Sequence, residues 1–194
     1  MTVPAAEKCP RLILGVTGHR ALTEVERVRE GVAAALAHIE KAFPGRKLTI
    51  VSALAEGADR LVVQEALKKP GAELEVILPM PRKEYVHDFS TQESKREFEK
   101  LMGRALAVHE IPLRAERAAC YEEAGRWILA RSHVVFAIWD GNPEQGVGGT
   151  GAIVALARAK GLPIVWIHAG NRLPGTLEPT SLGSAQGGVT FEGF

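Results

Sequence analysis

Short runs of branched apolar residues alternate along the chain with longer stretches in which apolar positions recur every three or four residues. Leu12 to Val16 is the first short run, and Gly15, Thr17 and Gly18 close it, which predicts a buried strand entering a turn. Leu22, Val25, Val28, Val32, Leu36, Ile39 and Phe43 then fall on one face of a long helix. Thr23 and Glu26 are spaced for a capping box at its start, and Pro44 and Gly45 end it. Leu48 to Ser52 predicts a second strand and Glu56 to Leu67 a helix stopped by Pro70 and Gly71. Leu74 to Leu78 predicts a third strand, broken by Pro79 and Pro81.

Arg82 to Lys100 is densely charged yet carries Tyr85, Phe89 and Phe98, which predicts a loop leading into a helix capped by Ser90 and Glu93. Ala105 to Ile111 is expected as a fourth strand, Glu116 to Arg131 as a helix, and Val134 to Trp139 as an apolar fifth strand. A glycine-rich turn from Asp140 to Gly149 enters a helix of about ten residues that closes at Gly161 and Pro163, before a sixth strand from Ile164 to His168. From Gly170 onward Gly, Ser, Thr and Pro accumulate, and a surface-hugging or disordered tail is expected there.

Strands alternating with helices through short turns imply right-handed crossovers, hence an α/β fold of Rossmann-like, doubly wound type. We expect a mostly parallel sheet of about six strands with helices on both faces, over residues 11–170, after a ten-residue extension. With 194 residues, 46% of them hydrophobic, one core is sufficient. The 24 basic and 23 acidic side chains nearly cancel, which disfavours nucleic acid and anionic membrane as partners. Cys9 and Cys120 lie far apart, so neither a disulfide framework nor a thiolate metal site is indicated. No apolar signal core stands among Met1 to Arg11 and no run approaches membrane-spanning length, so a cytoplasmic location is expected.

In doubly wound sheets ligands sit beyond the carboxyl ends of the strands, where the strand order reverses, which directs attention to three turns. The first is Gly15-Val16-Thr17-Gly18-His19-Arg20. Its glycines allow close backbone approach, Thr17 offers a hydroxyl, Arg20 can hold a phosphate through two N–H groups, and His19 can donate to a phosphate or act as acid or base. The second runs from Ser52 through Glu56, Gly57 and Asp59 to Arg60. Glu56 and Asp59, three apart, are expected on one helical face, near a ribose or a glycosidic bond; the helix dipole alone also favours acids there, and Arg60 can simply pair with them.

The third turn, Asp140 to Gly151, holds five glycines in twelve residues. Gly148, Gly149, Thr150 and Gly151 would present amides and a hydroxyl to a phosphate at a helix N-terminus. It has neither a Gly-Lys-Ser/Thr ending nor a G-x-G-x-x-G spacing, so it is not an ATPase loop or a dinucleotide fingerprint. His38, His109 and His168 form no metal-binding spacing, and Trp127, Trp139 and Trp166 read as core or edge packing.

Together, GVTGHR, SALAEGADR and DGNPEQGVGGTG resemble the SLOG superfamily of DprA (Smf) and LOG proteins, nearest its YpsA-like branch, over about Arg11 to His168. The resemblance implies a Rossmann-like fold whose glycine-rich turn binds a nucleotide-type ligand such as AMP, ADP-ribose or an NAD-like molecule; no other cofactor is implied. LOG enzymes release a base from a riboside monophosphate through a Gly-Gly-x-Gly-Thr-x-x-Glu run. Here that run is Gly148 to Ala155, with Ala152 at the threonine and Ala155 at the catalytic glutamate. The expectation is therefore a binding protein or sensor for a nucleotide-derived ligand, with an N-glycosidase using Glu56 or Asp59 as the rival and a DprA-like single-strand binder a weaker one. A homodimer or higher homo-oligomer is also expected.

Overall fold

The computed structural model describes residues 10–143, 149–173, 175–176 and 178–194. Seven strands form one sheet: β1 (Arg11–Gly18), β2 (Lys47–Ser52), β3 (Glu73–Leu78), β4 (Ala107–Glu110), β5 (Val134–Trp139), β6 (Ile164–His168) and β7 (Val189–Glu192). Their order is β4-β3-β2-β1-β5-β6-β7, and only the β6–β7 pair is antiparallel. The helices are α1 (Val25–Ala42), α2 (Ala58–Ala66), a single turn α3 (Arg82–Tyr85), α4 (Gln92–Met102), α5 (Arg117–Arg131) and α6 (Thr150–Ala159).

Alternation along each strand explains why the central ones are apolar throughout. Leu12, Leu14 and Val16 of β1 and Phe136 and Ile138 of β5 join a core with Val28, Val32 and Leu36 of α1 and Leu61 and Val62 of α2. The intervening Val135, Ala137 and Trp139 pack on the other face, against Ile153, Val154 and Ala157 of α6. Val51 and Ile77 lie on that second face beside Ala124 and Ile128 of α5. Each Val, Leu, Ile or Phe side chain so buried contributes roughly 1.5–3 kcal/mol, so a one-residue register slip would be costly on both faces.

The expected six strands become seven because the C-terminal segment joins the sheet rather than trailing from it. β7 pairs with β6 from Ile164 opposite Glu192 to Ile167 opposite Val189. Buried Gln186 fixes the approach: its amide donates to Thr23 O at 2.9 Å, and its carbonyl accepts from Gly170 N at 3.0 Å. The same capture displaces the expected Thr23–Glu26 capping box. Glu24, with a left-handed φ of 46° and no side-chain cap, precedes α1 and accepts from Ser181 Oγ and Arg27 instead.

Close approach of α1 to this segment makes Gly31 a point of sensitivity, since an added Cβ would stand 2.2 Å from Gly187 O. Gly31→Val is expected to lower stability by at least about 2 kcal/mol, through overpacking against backbone that cannot yield locally. Urea unfolding checks this; an unchanged midpoint would show that the C-terminal segment is not integral to the fold.

Two other expectations are corrected. Glu56 lies outside the helix: Leu54 (φ 56°) and Gly57 (φ 77°) bend the chain so that α2 starts only at Ala58, and Glu56 and Asp59 do not share a helical face. The helix after the charged segment is capped by Thr91, whose hydroxyl accepts from Ser94 N at 3.0 Å, and not by Ser90. Ser90 is engaged elsewhere, donating through its N–H and its hydroxyl to Glu56 Oε1.

Candidate functional site

The strand order reverses between β1 and β5, which pair from Leu14 opposite Val134 to Gly18 opposite Ile138. α1, after β1, packs on one face and α6, after β5, on the other, so the two turns separate and leave a crevice at the carboxyl ends of the strands. A cleft of about 880 Å³ occupies this position. Thr17, Gly18, His19 and Arg20 line it from the first turn, Glu56 and Asp59 from the second, and Gly149 and Thr150 from the third. Gly148 lies outside the described residues.

Backbone and ring bonds tie the turns together. Ala58 N donates to His19 O at 3.1 Å, and Gly57 fits against the first turn so closely that an added Cβ would be 2.2 Å from Arg20 O. His19 is buried; its Nε2 accepts from Asp140 N at 3.2 Å and lies 3.3 Å from Asp140 Oδ1. The ring thus bridges the first and third turns. Asp140 also accepts from Asn142 N at 3.0 Å, so its carboxylate shapes the turn rather than lining the cleft.

Asp59 is the buried acid of the site. Ser52 Oγ donates to its Oδ2 at 2.9 Å, and Ala55 N donates at 3.4 Å. Burial disfavours the charged form and outweighs these bonds and the attraction of Arg20, pushing the carboxyl up to about 6. Ser52 is therefore a positioning group, whose oxygen also accepts from Leu54 N at 3.0 Å. Glu56, by contrast, is occupied: Ser90 and Ser94 donate to its Oε1.

α6 opens onto the cleft with no acidic residue in its first turn and no side-chain cap at Gly149. Among the described residues, the positive end of its dipole meets no carboxylate within that turn, an arrangement that favours an anion by roughly 0.3–1 kcal/mol at an exposed terminus. Gly151, in that turn, is buried and does not line the cleft.

Two further expected ligand residues are engaged in packing and in hydrogen bonds within the protein. Gly15 lies beneath α5, where an added Cβ would meet Ser132 Oγ at 2.1 Å. Arg60 is almost fully buried, donating to Leu54 O at 3.0 Å, to Ser94 O at 2.9 Å and to Glu97 Oε2 at 2.9 Å, with its guanidinium 4.5 Å from the Phe89 ring centre.

The structure also adds a wall that the turns alone do not contain. Tyr85 and Asp88, from α3 and the 3-10 turn Val86–Asp88 after it, line the cleft together with Arg117 and Tyr121 of α5. Arg20 lies 5.1 Å from the Tyr121 ring centre and 3.9 Å from Asp88 Oδ2, while Arg117 donates to Asp88 Oδ1. The C-terminal segment contributes Asn171 and Arg172 at the rim.

No protein-family model matches this chain, and no curated protein matches it in sequence. Among solved structures it is similar to TM1055, an X-ray structure from a structural genomics consortium, at 17% identity and a TM-score of 0.47, over 79% of this chain and 72% of that one. The sheet order and the helices on both of its faces are those of a Rossmann-like α/β fold. Among the described residues, no helix is long and apolar enough to cross a membrane.

Proposed function

We propose that the cleft binds a nucleotide or nucleotide-derived phosphate ester, as a sensor or binding protein of SLOG type. One observation carries this reading: the N-terminus of α6 and the Arg20 guanidinium border the same cleft at the reversal of strand order. A phosphate at the helix terminus would meet backbone amides and, from Arg20, charge-assisted hydrogen bonds. The test is a thermal-shift panel of AMP, ADP-ribose and NAD with the wild type and Arg20→Ala. Stabilisation by at least one ligand, weakened about 10- to 100-fold in affinity by the substitution, is expected; no shift with any ligand would contradict the proposal.

Asp59 supports a second, enzymatic reading as a nucleotide N-glycosidase. A buried carboxyl held near 6 inside a cleft is matched to acid or base work at neutral pH, and it is better placed than Glu56, whose oxygen is already bonded to two serines. Chromatographic detection of free base from AMP, lost in Asp59→Asn, is the outcome that favours this reading. Intact AMP after prolonged incubation favours the sensor.

The proposal includes a homodimer. Leu106 and Val108 are exposed at the edge strand β4 and Leu113 just after it, apolar surface suited to a self-complementary edge contact. Val108→Lys is expected to convert a dimer to a monomer in light scattering, and a wild-type monomer would remove the idea.

A further inference from the structure

The cleft is lined by two kinds of group. α6 brings backbone amides and, among the described residues, no acid in its first turn, while Asp59, Asp88 and Tyr85 gather around Arg20. Tyr85 is fully buried, with its ring edge-on to Phe89 and Phe98, at centre distances of 5.1 and 5.9 Å. Aromatic packing fixes the ring, and its hydroxyl has no hydrogen-bond partner among the described residues. Asp88 Oδ2 is likewise buried without a hydrogen bond, 3.9 Å from Arg20, although its Oδ1 is bonded to Arg117. Burying a hydroxyl unpaired costs roughly 1–3 kcal/mol, which packing alone would avoid with phenylalanine.

The mixture of groups decides what can satisfy them. The carboxylates of Asp59 and Asp88 and the guanidiniums of Arg20 and Arg117 nearly cancel, so this group has little net charge to draw a second anion. Carboxylate oxygens accept only, the guanidinium donates only, and a neutral phenol does both. Burial pushes the Tyr85 phenol up, so it stays protonated at neutral pH. A pair of hydroxyls, each donating to a carboxylate and accepting from the phenol or the guanidinium, matches this set.

We infer that Tyr85, Asp88 and Asp59 form a hydroxyl-reading subsite that selects phosphate esters of sugars with a free vicinal diol, ribonucleotides over analogues lacking those hydroxyls. This rests on the phosphate-binding reading of the α6 N-terminus. Tyr85 is the specificity-determining residue of the three, because it alone has no hydrogen-bond partner among the described residues to compete with the ligand.

Calorimetric titration with AMP and with 2′,3′-dideoxy-AMP tests the inference. The wild type is expected to bind AMP roughly 10- to 100-fold more tightly, since the analogue leaves the buried polar groups unpaired. Tyr85→Phe is expected to weaken AMP about tenfold and leave the dideoxy analogue within about twofold. Its melting temperature without ligand should equal or exceed the wild type's, which separates lost recognition from lost folding. Equal binding of the two nucleotides by the wild type, or unchanged discrimination in Tyr85→Phe, would overturn the subsite alone. Binding of neither nucleotide would overturn the phosphate reading and the subsite with it.

Discussion

Asp59→Asn is expected to make the protein more stable at neutral pH, by up to about 3 kcal/mol. The wild-type carboxyl titrates near 6 in the folded protein against 3.8 as its ordinary value, and each unit corresponds to about 1.36 kcal/mol. The folded state therefore binds its proton more tightly than the unfolded state, so stability is full below about pH 4 and is lost as pH rises towards 6. Asparagine cannot ionise, and its carbonyl can still accept from Ser52 Oγ, so the variant escapes that loss. Melting temperatures from pH 4 to 8 should fall for the wild type over the lower half of the range and stay flat for the variant. A wild-type curve without that fall would show that Asp59 is solvated and unstrained. A residue that costs stability at working pH and lines the cleft is the pattern of a group retained for function.

The second large effect concerns Arg60. Arg60→Ala is expected to cost about 3–5 kcal/mol, a large share of a domain's usual 5–15, because it removes a buried guanidinium from Leu54 O, Ser94 and Glu97 and empties the space beside Phe89. Glu97→Gln should cost only about 1 kcal/mol, since the Glu97 side chain is 43% exposed and Arg60 keeps its other partners. Urea unfolding with an unchanged slope distinguishes the two. If Arg60→Ala kept wild-type stability yet lost AMP binding, Arg60 would be a ligand residue and the structural role assigned to it would be wrong.

Arg60 shows where sequence reading stops. In the string Glu56 to Arg60 an arginine after two acids reads as a surface pair or a phosphate contact, and nothing local reveals that α4, more than thirty residues later, closes over it. The central strands were legible because both of their faces are buried, giving continuous apolar runs such as Val134 to Trp139. β7 was not, because Val189-Thr190-Phe191-Glu192 is a short, half-exposed edge strand placed by contacts distant in sequence, such as those of Gln186 with Thr23 and of Glu192 with Arg158.

The candidate site divides in the same way. Three of its walls are turns after strands, and position in a doubly wound sheet is enough to bring them together at the strand-order reversal. The fourth wall, Tyr85 and Asp88, comes from a segment whose charge suggests a solvated loop. Its one sequence signal was the recurrence of aromatics, Tyr85, Phe89 and Phe98, which in the fold pack on one another and hold the phenol in the cleft. Glu56 and Asp59 both line the cleft, but the bend at Leu54 and Gly57 gives them different surroundings and leaves Asp59 as the less occupied acid.

The most direct test of the central claim, that an anion of a nucleotide binds at the N-terminus of α6, is calorimetric titration of AMP into the wild type and Gly149→Asp. Gly149 has an ordinary extended backbone at the N-cap of α6, where aspartate is a preferred residue, so the variant should fold with equal or slightly greater stability. Its carboxylate would take the place proposed for the phosphate. The account predicts AMP binding by the wild type and at least about a tenfold loss in Gly149→Asp through like-charge repulsion and a blocked helix terminus; undiminished binding in the variant would contradict it.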